Sequence, residues 1–309
     1  MPPISAKSER QRIAVVGLGS IGGVVAGLLG AVKRHDVVAC VRRPVERITV
    51  EQPEDAIDVP MRALTDPTKA QPQDWVLLCT KVTDTASSAP WLQQLCGPST
   101  RVAALQNGID HARRLAPFVG GASVIPTIVY YNGERLAPDR VRYRTGGEYD
   151  FAVADNIDGQ AFAALLDGTR LKTNPSSDFK TLLWRKLLVN AVGNPVTALT
   201  LQRNAVFRRD DIAALCLALL EEAAAVGRAD GAQLAADEPA QTMKRLGVIP
   251  PDAGSSMYFD RLARRPLEID ALTGAVVEAA ERHRVPTPLL HMLLTLARAA
   301  SESPAPRND

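Results

Sequence analysis

Aromatic residues and net charge are both scarce in this sequence, which argues against several classes of partner. Aromatic residues make up 5% of the 309 residues, and the formal net charge is only +2. A nucleic-acid-binding surface normally shows a strong basic bias, and single strands are bound on aromatic stacking platforms. We therefore expect no nucleic-acid partner. The length suggests about two domains.

Cysteine and histidine are also few, with four of each in the chain. The cysteines are Cys40, Cys79, Cys96 and Cys216. They form no CxxC pair, and no histidine stands at metal-ligand spacing from any of them. We expect free thiols packed as small apolar residues. This predicts a protein of the reducing cytoplasm without a metal site.

One uncharged stretch is long enough to suggest a membrane segment. Residues 13–32 contain no charged side chain and follow Arg10 and Arg12, as in a membrane anchor or a signal sequence. Six glycines within the stretch weaken a lone helix, so a strand, a turn and a helix are favoured instead. No membrane association is therefore expected, whereas the anchor alternative predicts sedimentation with the membrane fraction.

Short apolar runs alternate with helical stretches in the first half of the chain. The runs begin near Arg12, Val37, Asp74, Arg101 and Ser123. Apolar strands that alternate with helices predict an α/β fold, in which an open parallel sheet is covered on both faces. Residues 140–144 and 149–153 alternate in polarity, which predicts antiparallel strands at a sheet edge.

The second half of the chain has a helical pattern almost throughout. From Ser176 onward alanine and leucine dominate, and glycine and proline mark the loops. We expect a domain boundary near residues 173–175. This boundary divides the chain into a sheet-containing domain, residues 1–174, and a helical domain, residues 175–309.

A GxGxxG pattern follows the first predicted strand. It consists of Gly17, Leu18, Gly19, Ser20, Ile21 and Gly22, and a helix of small residues follows it. In this context the first glycine permits a tight turn, the second lets the backbone approach a pyrophosphate, and the third lets the helix pack on the strand. The helix N-terminus adds free N–H groups and a positive dipole end. The pattern therefore predicts a dinucleotide site.

The end of the second predicted strand distinguishes between the two nicotinamide dinucleotides. An NAD site usually has Asp or Glu there to bind the ribose 2′-hydroxyl, whereas this strand ends with Arg42 and Arg43. The guanidinium fork of arginine suits a 2′-phosphate. Arg42 therefore predicts NADP(H) as the cofactor. The alternative is that both arginines are merely solvated.

Two further segments follow strands at the same predicted edge, where the ligands of open sheets bind. Lys81 follows one strand and could contact the cofactor or the substrate. Asn107, followed by Gly108, could hydrogen-bond the nicotinamide ribose or the substrate. Each alone is more often structural, since Asn-Gly is a common turn pair. Their shared location makes them candidates.

An amphipathic helix is predicted after the domain boundary. Lys186, Asn190 and Asn194 are spaced four apart and share one face if the helix continues. Gly193 and Pro195 predict a break or bend around Asn194. Buried amides need partners that a ligand can supply, and a partly desolvated lysine can release a proton near neutral pH. The alternative is an ordinary helix whose lysine extends into solvent.

Two weaker candidates lie further along the chain. Ser255 and Ser256 stand at a good N-cap position for another predicted helix. Glu268 stands at the start of the next helix. The helix dipole alone can explain a carboxylate there, so Glu268 gains weight only from its neighbours.

Together these segments resemble the ketopantoate reductase family, from residue 13 to about residue 295. The motifs that carry the resemblance are the loop of residues 17–22, Arg42, Lys81, Gln106-Asn107-Gly108, Lys186-Leu187-Leu188-Val189-Asn190, Asn194, Ser255-Ser256-Met257, Asp260, Glu268-Ile269-Asp270 and Gly274. The resemblance implies a Rossmann-type NADP-binding domain joined to an all-helical substrate and dimerisation domain, with the site in the cleft between them. It also implies a homodimer and the reduction of 2-dehydropantoate, a small 2-keto acid, to pantoate by NADPH.

The resemblance assigns a role to each candidate residue. Lys186 is the general acid, and Glu268 binds the substrate hydroxyl. The other implied contacts are those of Asn190 and Asn194 with the substrate, Ser256 with its carboxylate, Asn107 with the substrate or the nicotinamide, residues 17–22 and Lys81 with the cofactor, and Arg42 with the 2′-phosphate.

Two positions depart from the usual pattern of the family. Ala253 stands where the family commonly has Asn, and alanine cannot hydrogen-bond a substrate hydroxyl. Tyr130 and Tyr131 stand where small residues are usual and are expected to narrow the site. Both departures favour a different 2-keto acid as the alternative substrate. A further alternative is a non-catalytic NADP(H)-binding sensor, although such a protein has no need of a proton donor like Lys186.

Overall fold

The computed structural model describes residues 10–302, which divide into two compact units. The first unit comprises the described residues up to Gln106 together with His111–Ser177. The second comprises Asn107–Asp110 together with the residues from Asp178 onward. All strands of the described chain lie in the first unit, and the second is helical. The α/β fold with a helical C-terminal part is therefore confirmed.

The first unit contains every strand in residues 10–302. The strands are β1 (Arg12–Val16), β2 (Asp36–Cys40), β3 (Arg47–Glu51), β4 (Ala56–Pro60), β5 (Arg62–Leu64), β6 (Trp75–Leu78), β7 (Arg101–Ala104), β8 (Ser123–Pro126), β9 (Ile128–Val129), β10 (Asn132–Ala137), β11 (Arg140–Arg144), β12 (Phe151–Ala154) and β13 (Thr173–Ser176). Its helices are α1 (Ser20–Val32), α2 (Thr85–Leu95), α3 (His111–Leu115) and α4 (Ile157–Leu165).

The main sheet has six parallel strands in the order β5-β2-β1-β6-β7-β8. Both faces are covered, so alternate residues of β1 enter different cores. Ile13 and Val15 lie in the core that includes α1, and Ala14 and Val16 lie in the core that includes α2. This is the strand order of a Rossmann fold, whose ligands bind where the order reverses, between β1 and β6.

The strands predicted at a sheet edge belong instead to two smaller sheets. β11 lies in a four-stranded sheet, antiparallel to β10 but parallel to β3. β12 lies in a three-stranded sheet between β9 and β13. The edge prediction was wrong because alternation shows that one face is buried but does not show which element covers it. For β11 the covering element is α1, which contacts Val141.

Three glycines of α1 explain why this helix is so rich in small residues. A Cβ atom at Gly23 would lie 2.6 Å from Val141, one at Gly27 would lie 2.4 Å from Val50, and one at Gly30 would lie 2.9 Å from Val59. The four-stranded sheet therefore packs directly on the helix backbone. Residues 13–32 are a strand, a turn and a 13-residue helix, and no helix within residues 10–302 is long and apolar enough to cross a membrane.

The second unit packs its helices around one apolar core. The helices are α5 (Phe179–Thr200), α6 (Asp210–Ala229), α7 (Glu238–Val248), α8 (Ser256–Leu262), α9 (Ala275–His283) and α10 (Pro288–Glu302). A π-helical turn, Asp270–Gly274, precedes α9. The core is formed mainly by aliphatic side chains of α5, α6, α9 and α10, and Ile109 contributes to it as well.

Helix α5 runs without a break through Pro195, so of the two predicted alternatives, a break or a bend, the break is wrong. Proline has no N–H to bond the carbonyl four residues earlier, which here is that of Ala191. The hydroxyl of Thr273, fully buried in the π-helical turn, donates to that carbonyl at 2.7 Å. The lost helical hydrogen bond is thereby replaced by a tertiary one, so the helix continues.

Candidate active site

The glycine loop between β1 and α1 packs tightly against the segment that follows β6. Gly17 has a φ of +93°, and a Cβ there would lie 2.8 Å from the Thr80 side chain. A Cβ at Gly22 would lie 1.9 Å from the carbonyl oxygen of Gly17 and 2.8 Å from Cys79. Both positions therefore require glycine, one for its backbone conformation and one for the contact between helix and loop.

Gly19 differs from these two glycines because its surroundings are open. A Cβ built at Gly19 would have no neighbour within 4 Å. Gly19 is also the N-cap of α1, no side chain caps this helix, and no acidic residue lies in its first turn. The first N–H groups of α1 are thus not used by a side-chain cap. The loop, including the buried Leu18 and half-buried Ser20 and Ile21, fits the pyrophosphate of a dinucleotide.

Arg42 lies two residues after β2, at the carboxyl edge of the sheet. Arg42 and Arg43 are both exposed, and neither pairs with another residue in the described part of the chain. An exposed guanidinium at the end of this strand fits the 2′-phosphate of NADP(H).

Lys81 follows β6 in a loop that a neighbouring glutamine holds in place. The side-chain amide of the buried Gln106 donates to the carbonyl of Thr80 at 3.0 Å and to the hydroxyl of Thr85 at 3.2 Å. The Gln106 side-chain oxygen accepts from Arg114 at 3.2 Å. Gln106 therefore fixes the loop that carries the half-buried Lys81. The sequence places Gln106 only within the Gln106-Asn107-Gly108 motif, because its bonds to Thr80 and Thr85 are tertiary contacts that no local pattern indicates.

In the second unit, Lys186, Asn190 and Asn194 lie on one face of α5, because that helix continues from Phe179 to Thr200. Asn194 is 7% exposed, and Lys186 and Asn190 are half-buried. Burial lowers the pKa of the Lys186 amine from its ordinary value of 10.5. The amine of Lys186 therefore gives up a proton more readily than an exposed lysine does.

A hydrogen-bonded chain connects this helix to the carboxylate of Glu268. The amide of Asn190 donates to the side-chain oxygen of Asn107 at 3.5 Å, and the amide of Asn107 donates to Glu268 at 3.1 Å. Glu268 is 7% exposed and lies just before the π-helical turn. The structure thus brings together three of the candidate residues, although they come from three separate parts of the sequence.

The turn that carries Asn107 belongs to the second unit and packs closely against its π-helical turn. Gly108 has a φ of +95°, and a Cβ there would lie 2.5 Å from the carbonyl oxygen of Ala271 in the π-helical turn. Asp110 pairs with Arg282 at 3.5 Å. Glycine is required at position 108 for this close approach, which holds the Asn107 side chain against Glu268.

The two serines before α8 have different surroundings. Ser255 caps α8 by accepting from the N–H of Tyr258 at 3.1 Å, and its hydroxyl lies 2.6 Å from that of Thr197 on α5. Ser256 is exposed at the first position of α8, so its hydroxyl is accessible to a ligand. Ser256 therefore suits an anionic group at a helix N-terminus better than Ser255 does.

Asn204 was not singled out from the sequence, yet it lies beside the Ala253 segment. Its backbone N–H donates to the carbonyl of Ala253 at 2.9 Å, and the residue is 7% exposed. No described residue hydrogen-bonds its side-chain amide. Only the tertiary contact with residue 253 identifies Asn204 as a candidate site residue, and the sequence does not show that contact.

Tyr131 does not narrow a substrate site, contrary to the expectation from the sequence. It is 4% exposed within the core of the first unit, where its ring lies 5.7 Å from that of Tyr143 and 5.5 Å from that of Phe151. Large rings are accommodated here because aromatic pairs at these separations pack favourably. Tyr131 therefore gives no support to a different substrate.

The fold and these residues define a class of protein. A parallel sheet in the Rossmann order carries an open glycine loop. A helical unit carries an amine of lowered pKa on the same helix face as two amides, one of them connected to a buried carboxylate. These are the parts of a nicotinamide-dependent oxidoreductase.

Comparison with known families identifies the group within this class. Residues 13–156 match the family described as ketopantoate reductase PanE/ApbA, and residues 178–301 match ketopantoate reductase PanE/ApbA C terminal. The chain belongs to the ketopantoate reductase family, as its motifs predicted.

Individual relatives match over nearly the whole chain. A 2-dehydropantoate 2-reductase of Caulobacter vibrioides is 39% identical over 94% of this chain and 99% of its own length. A 2-dehydropantoate 2-reductase of Mycobacterium tuberculosis is 37% identical over 94% of this chain and 98% of its own. Among solved structures, a PanE/ApbA family ketopantoate reductase from Ralstonia eutropha has a TM-score of 0.84 at 28% identity, covering 94% of this chain and 98% of that one. A dimeric ketopantoate reductase from Staphylococcus aureus has a TM-score of 0.83 at 25% identity, with coverage of 94% and 99%.

Proposed function

We propose that this protein reduces the keto group of 2-dehydropantoate to give pantoate, with NADPH as the reductant. The observation that carries the proposal is the hydrogen-bonded chain from Asn190 through Asn107 to Glu268, which begins one turn from Lys186 on α5. It supplies the polar groups that a small hydroxylated keto acid needs. The names of the relatives at 37–39% identity support the same substrate.

NADPH is favoured over NADH by the end of β2. When bound, the cofactor supplies a hydride to the keto carbon. Residues 17–22, with open space at Gly19, would hold the pyrophosphate, and the exposed Arg42 would hold the 2′-phosphate. Lys81 and Asn107 are the further candidate contacts of the cofactor.

Lys186 is proposed to act as the general acid. Reduction of the keto group places negative charge on its oxygen, and a positively charged amine stabilises that charge before donating the proton that completes the hydroxyl. Burial lowers the pKa of Lys186, so the proton is transferred more easily than from an ordinary lysine. The amine regains a proton from solvent before the next turnover.

Glu268 is proposed to bind the substrate hydroxyl, which would donate to its carboxylate. Asn107 already donates to one oxygen of Glu268, which holds the carboxylate in a fixed direction. Asn190 and Asn194 would bind other polar atoms of the substrate, and Ser256 would bind its carboxylate at the start of α8.

Ala253 remains the observation that favours a second candidate, the same reduction of a different 2-keto acid. The Ala253 side chain cannot hydrogen-bond a substrate hydroxyl. Asn204, whose backbone contacts Ala253, could supply such a bond instead. A non-catalytic NADP(H)-binding sensor is the remaining alternative.

A homodimer and a cytoplasmic compartment are further parts of the proposal. The dimeric relative supports the homodimer, and the four free cysteines support a reducing, cytoplasmic compartment.

A steady-state assay of the purified protein tests these alternatives. The decrease in NADPH absorbance would be followed with 2-dehydropantoate and with smaller and aromatic 2-keto acids. The proposal expects the highest kcat/KM with 2-dehydropantoate and a preference for NADPH over NADH. A higher kcat/KM with another acid would favour the second candidate, and NADPH binding without turnover on any of these acids would favour the sensor.

A further inference from the structure

The segment that follows β9 contacts two backbone carbonyls at the start of α1, where the glycine loop enters the helix. The hydroxyl of Tyr131 donates to the carbonyl of Ile21 at 2.7 Å. Two residues later, Gly133 packs so closely that a Cβ there would lie 2.4 Å from the carbonyl oxygen of Ser20. Ser20 and Ile21 are the first two residues of α1. Both contacts therefore fall on the turn that presents N–H groups to a bound phosphate.

Because the peptide group is planar, a contact that fixes its carbonyl also fixes the direction of its N–H. The carbonyl of Ile21 and the N–H of Gly22 belong to one planar peptide, and in a helix they point in opposite directions along the axis. The carbonyl of Ser20 is related to the N–H of Ile21 in the same way. A residue that holds the carbonyls of Ser20 and Ile21 in place therefore also holds the N–H groups of Ile21 and Gly22 in place.

The hydroxyl of Tyr131 is well suited to this task. A carbonyl oxygen has two lone pairs, so that of Ile21 can accept from Tyr131 in addition to its helical partner. Burial raises the pKa of Tyr131 well above its ordinary value, so the hydroxyl stays protonated and remains a donor. The ring is held by Tyr143 and Phe151, which limits its rotation.

We propose that Tyr131, assisted by Gly133, is a positioning residue for the dinucleotide: it holds the first-turn peptides of α1 so that their N–H groups face the pyrophosphate. This inference rests on the proposed use of NADPH. It assigns a role to one of the two tyrosines that depart from the usual family pattern, and this role concerns the cofactor rather than the keto acid.

A matched pair of tyrosine variants provides the test. Tyr131→Phe removes only the hydroxyl that contacts the loop. Tyr143→Phe removes a hydroxyl from the same aromatic cluster, where it donates to Asp150 at 2.8 Å, away from the loop. The hydrogen bond lost in Tyr143→Phe is to a buried carboxylate, so that variant should lose at least as much stability as Tyr131→Phe. A larger loss of cofactor affinity in Tyr131→Phe then reflects the position of its hydroxyl rather than stability.

The measurement is the Kd of NADPH by fluorescence titration of the full-length protein, with the melting temperature of each variant. We expect Tyr131→Phe to raise the Kd roughly three- to tenfold, as for the loss of one hydrogen bond, while Tyr143→Phe stays within about twofold of wild type. Gly133→Ala, which presses on Ser20, should raise the Kd at least as much. The KM for NADPH should follow the Kd while kcat is retained.

Two results would overturn the inference, and they are distinguishable from each other. If the wild-type protein binds NADPH and Tyr131→Phe binds it equally well, or no worse than Tyr143→Phe, the positioning role is wrong while the proposed function stands. If the wild-type protein does not bind NADPH, the proposed function fails, and the inference fails with it.

Discussion

The side-chain amide of Asn107 donates a hydrogen bond to the carboxylate of Glu268 across 3.1 Å, although 161 residues separate the two in the chain. Asn107 lies between β7 and α3, yet its turn packs with the helical unit, where Ile109 enters the core. The direction of the Glu268 carboxylate therefore depends on a residue from the sheet-containing half of the sequence. This dependence can be tested at position 107.

Asn107→Asp should weaken substrate binding in a pH-dependent way. The variant places a second carboxylate about 3 Å from that of Glu268, and a like charge at such a distance raises the pKa of the introduced carboxyl group. At pH 8 the repulsion should raise the KM for 2-dehydropantoate roughly tenfold. At pH 5 the loss should be smaller, because a protonated carboxyl again donates to its neighbour. Asn107→Ala is the control and should show a loss that does not change with pH, so equal losses in both variants at both pH values would contradict this.

Gly19→Ala should weaken NADPH binding without loss of stability, whereas Gly27→Ala should lower the stability. Gly19 has open space, so its variant should keep the wild-type melting temperature but bind NADPH about tenfold more weakly or worse, because a methyl group would occupy the space of the pyrophosphate. A Cβ at Gly27 would lie 2.4 Å from Val50, so overpacking should lower the stability by about 1–2 kcal/mol. NADPH titration and thermal unfolding of both variants check this, and a large loss of stability in Gly19→Ala would show that its space is not open.

Arg42→Ala should separate the two nicotinamide cofactors. The loss of a charge-assisted hydrogen bond to the 2′-phosphate should raise the Kd of NADPH roughly tenfold or more. The Kd of NADH should change little, because NADH has no 2′-phosphate and so serves as the internal control. Parallel losses for both cofactors would show that Arg42 does not bind that phosphate.

Glu238→Gln should destabilise the protein most clearly near neutral pH. The fully buried carboxylate of Glu238 accepts from Arg185 on α5 at 3.0 Å and from Arg245 on α7. Burial alone would raise the pKa of Glu238, but the hydrogen bonds from Arg245 and Arg185 hold it below its ordinary value of 4.5. Glutamine keeps an acceptor oxygen but loses the charge, and both arginines remain partly exposed to solvent, so the loss of stability should be on the order of 1 kcal/mol.

The sign of the pH dependence at Glu238 follows from its lowered pKa. The ionised form is stabilised in the folded protein, so its contribution is fully present above the ordinary pKa of 4.5 and is lost as the pH falls through the lower folded-state value. Unfolding of wild type and Glu238→Gln, followed from pH 7 downward, should show a stability difference that shrinks in that range. A difference that is constant with pH would mean that the charge is not responsible.

Local patterns were sufficient to predict the first strand, the glycine loop and the following helix. β1 begins at Arg12 and α1 follows the glycine loop, as predicted, because an apolar run and a run of small residues adjoin the loop. The spacing of four between Lys186, Asn190 and Asn194 also predicted their shared helix face correctly. These features depend on the backbone geometry of single elements, which neighbouring residues determine.

Features that depend on distant partners were not predictable. Pro195 indicated a break or a bend in α5, and only the contact with Thr273 explains why the helix continues. Tyr131 was predicted to narrow a binding site, but its ring packs in the aromatic core. That position depends on contacts with β11 and β12, which the local sequence does not show. The parallel pairing of β11 with β3 joins strands that are far apart in the sequence, and neither strand contains a signal for the other.

The central claim is that the amine of Lys186 donates the proton to the reduced keto group, and Lys186→Ala tests it most directly. Lys180→Ala is the matched control, since Lys180 lies on the same helix but pairs with Asp230 at 3.2 Å. We predict that Lys186→Ala lowers kcat for 2-dehydropantoate by about a hundredfold or more and leaves the Kd of NADPH within about twofold, while Lys180→Ala keeps near-normal turnover. Normal turnover by Lys186→Ala would contradict the account.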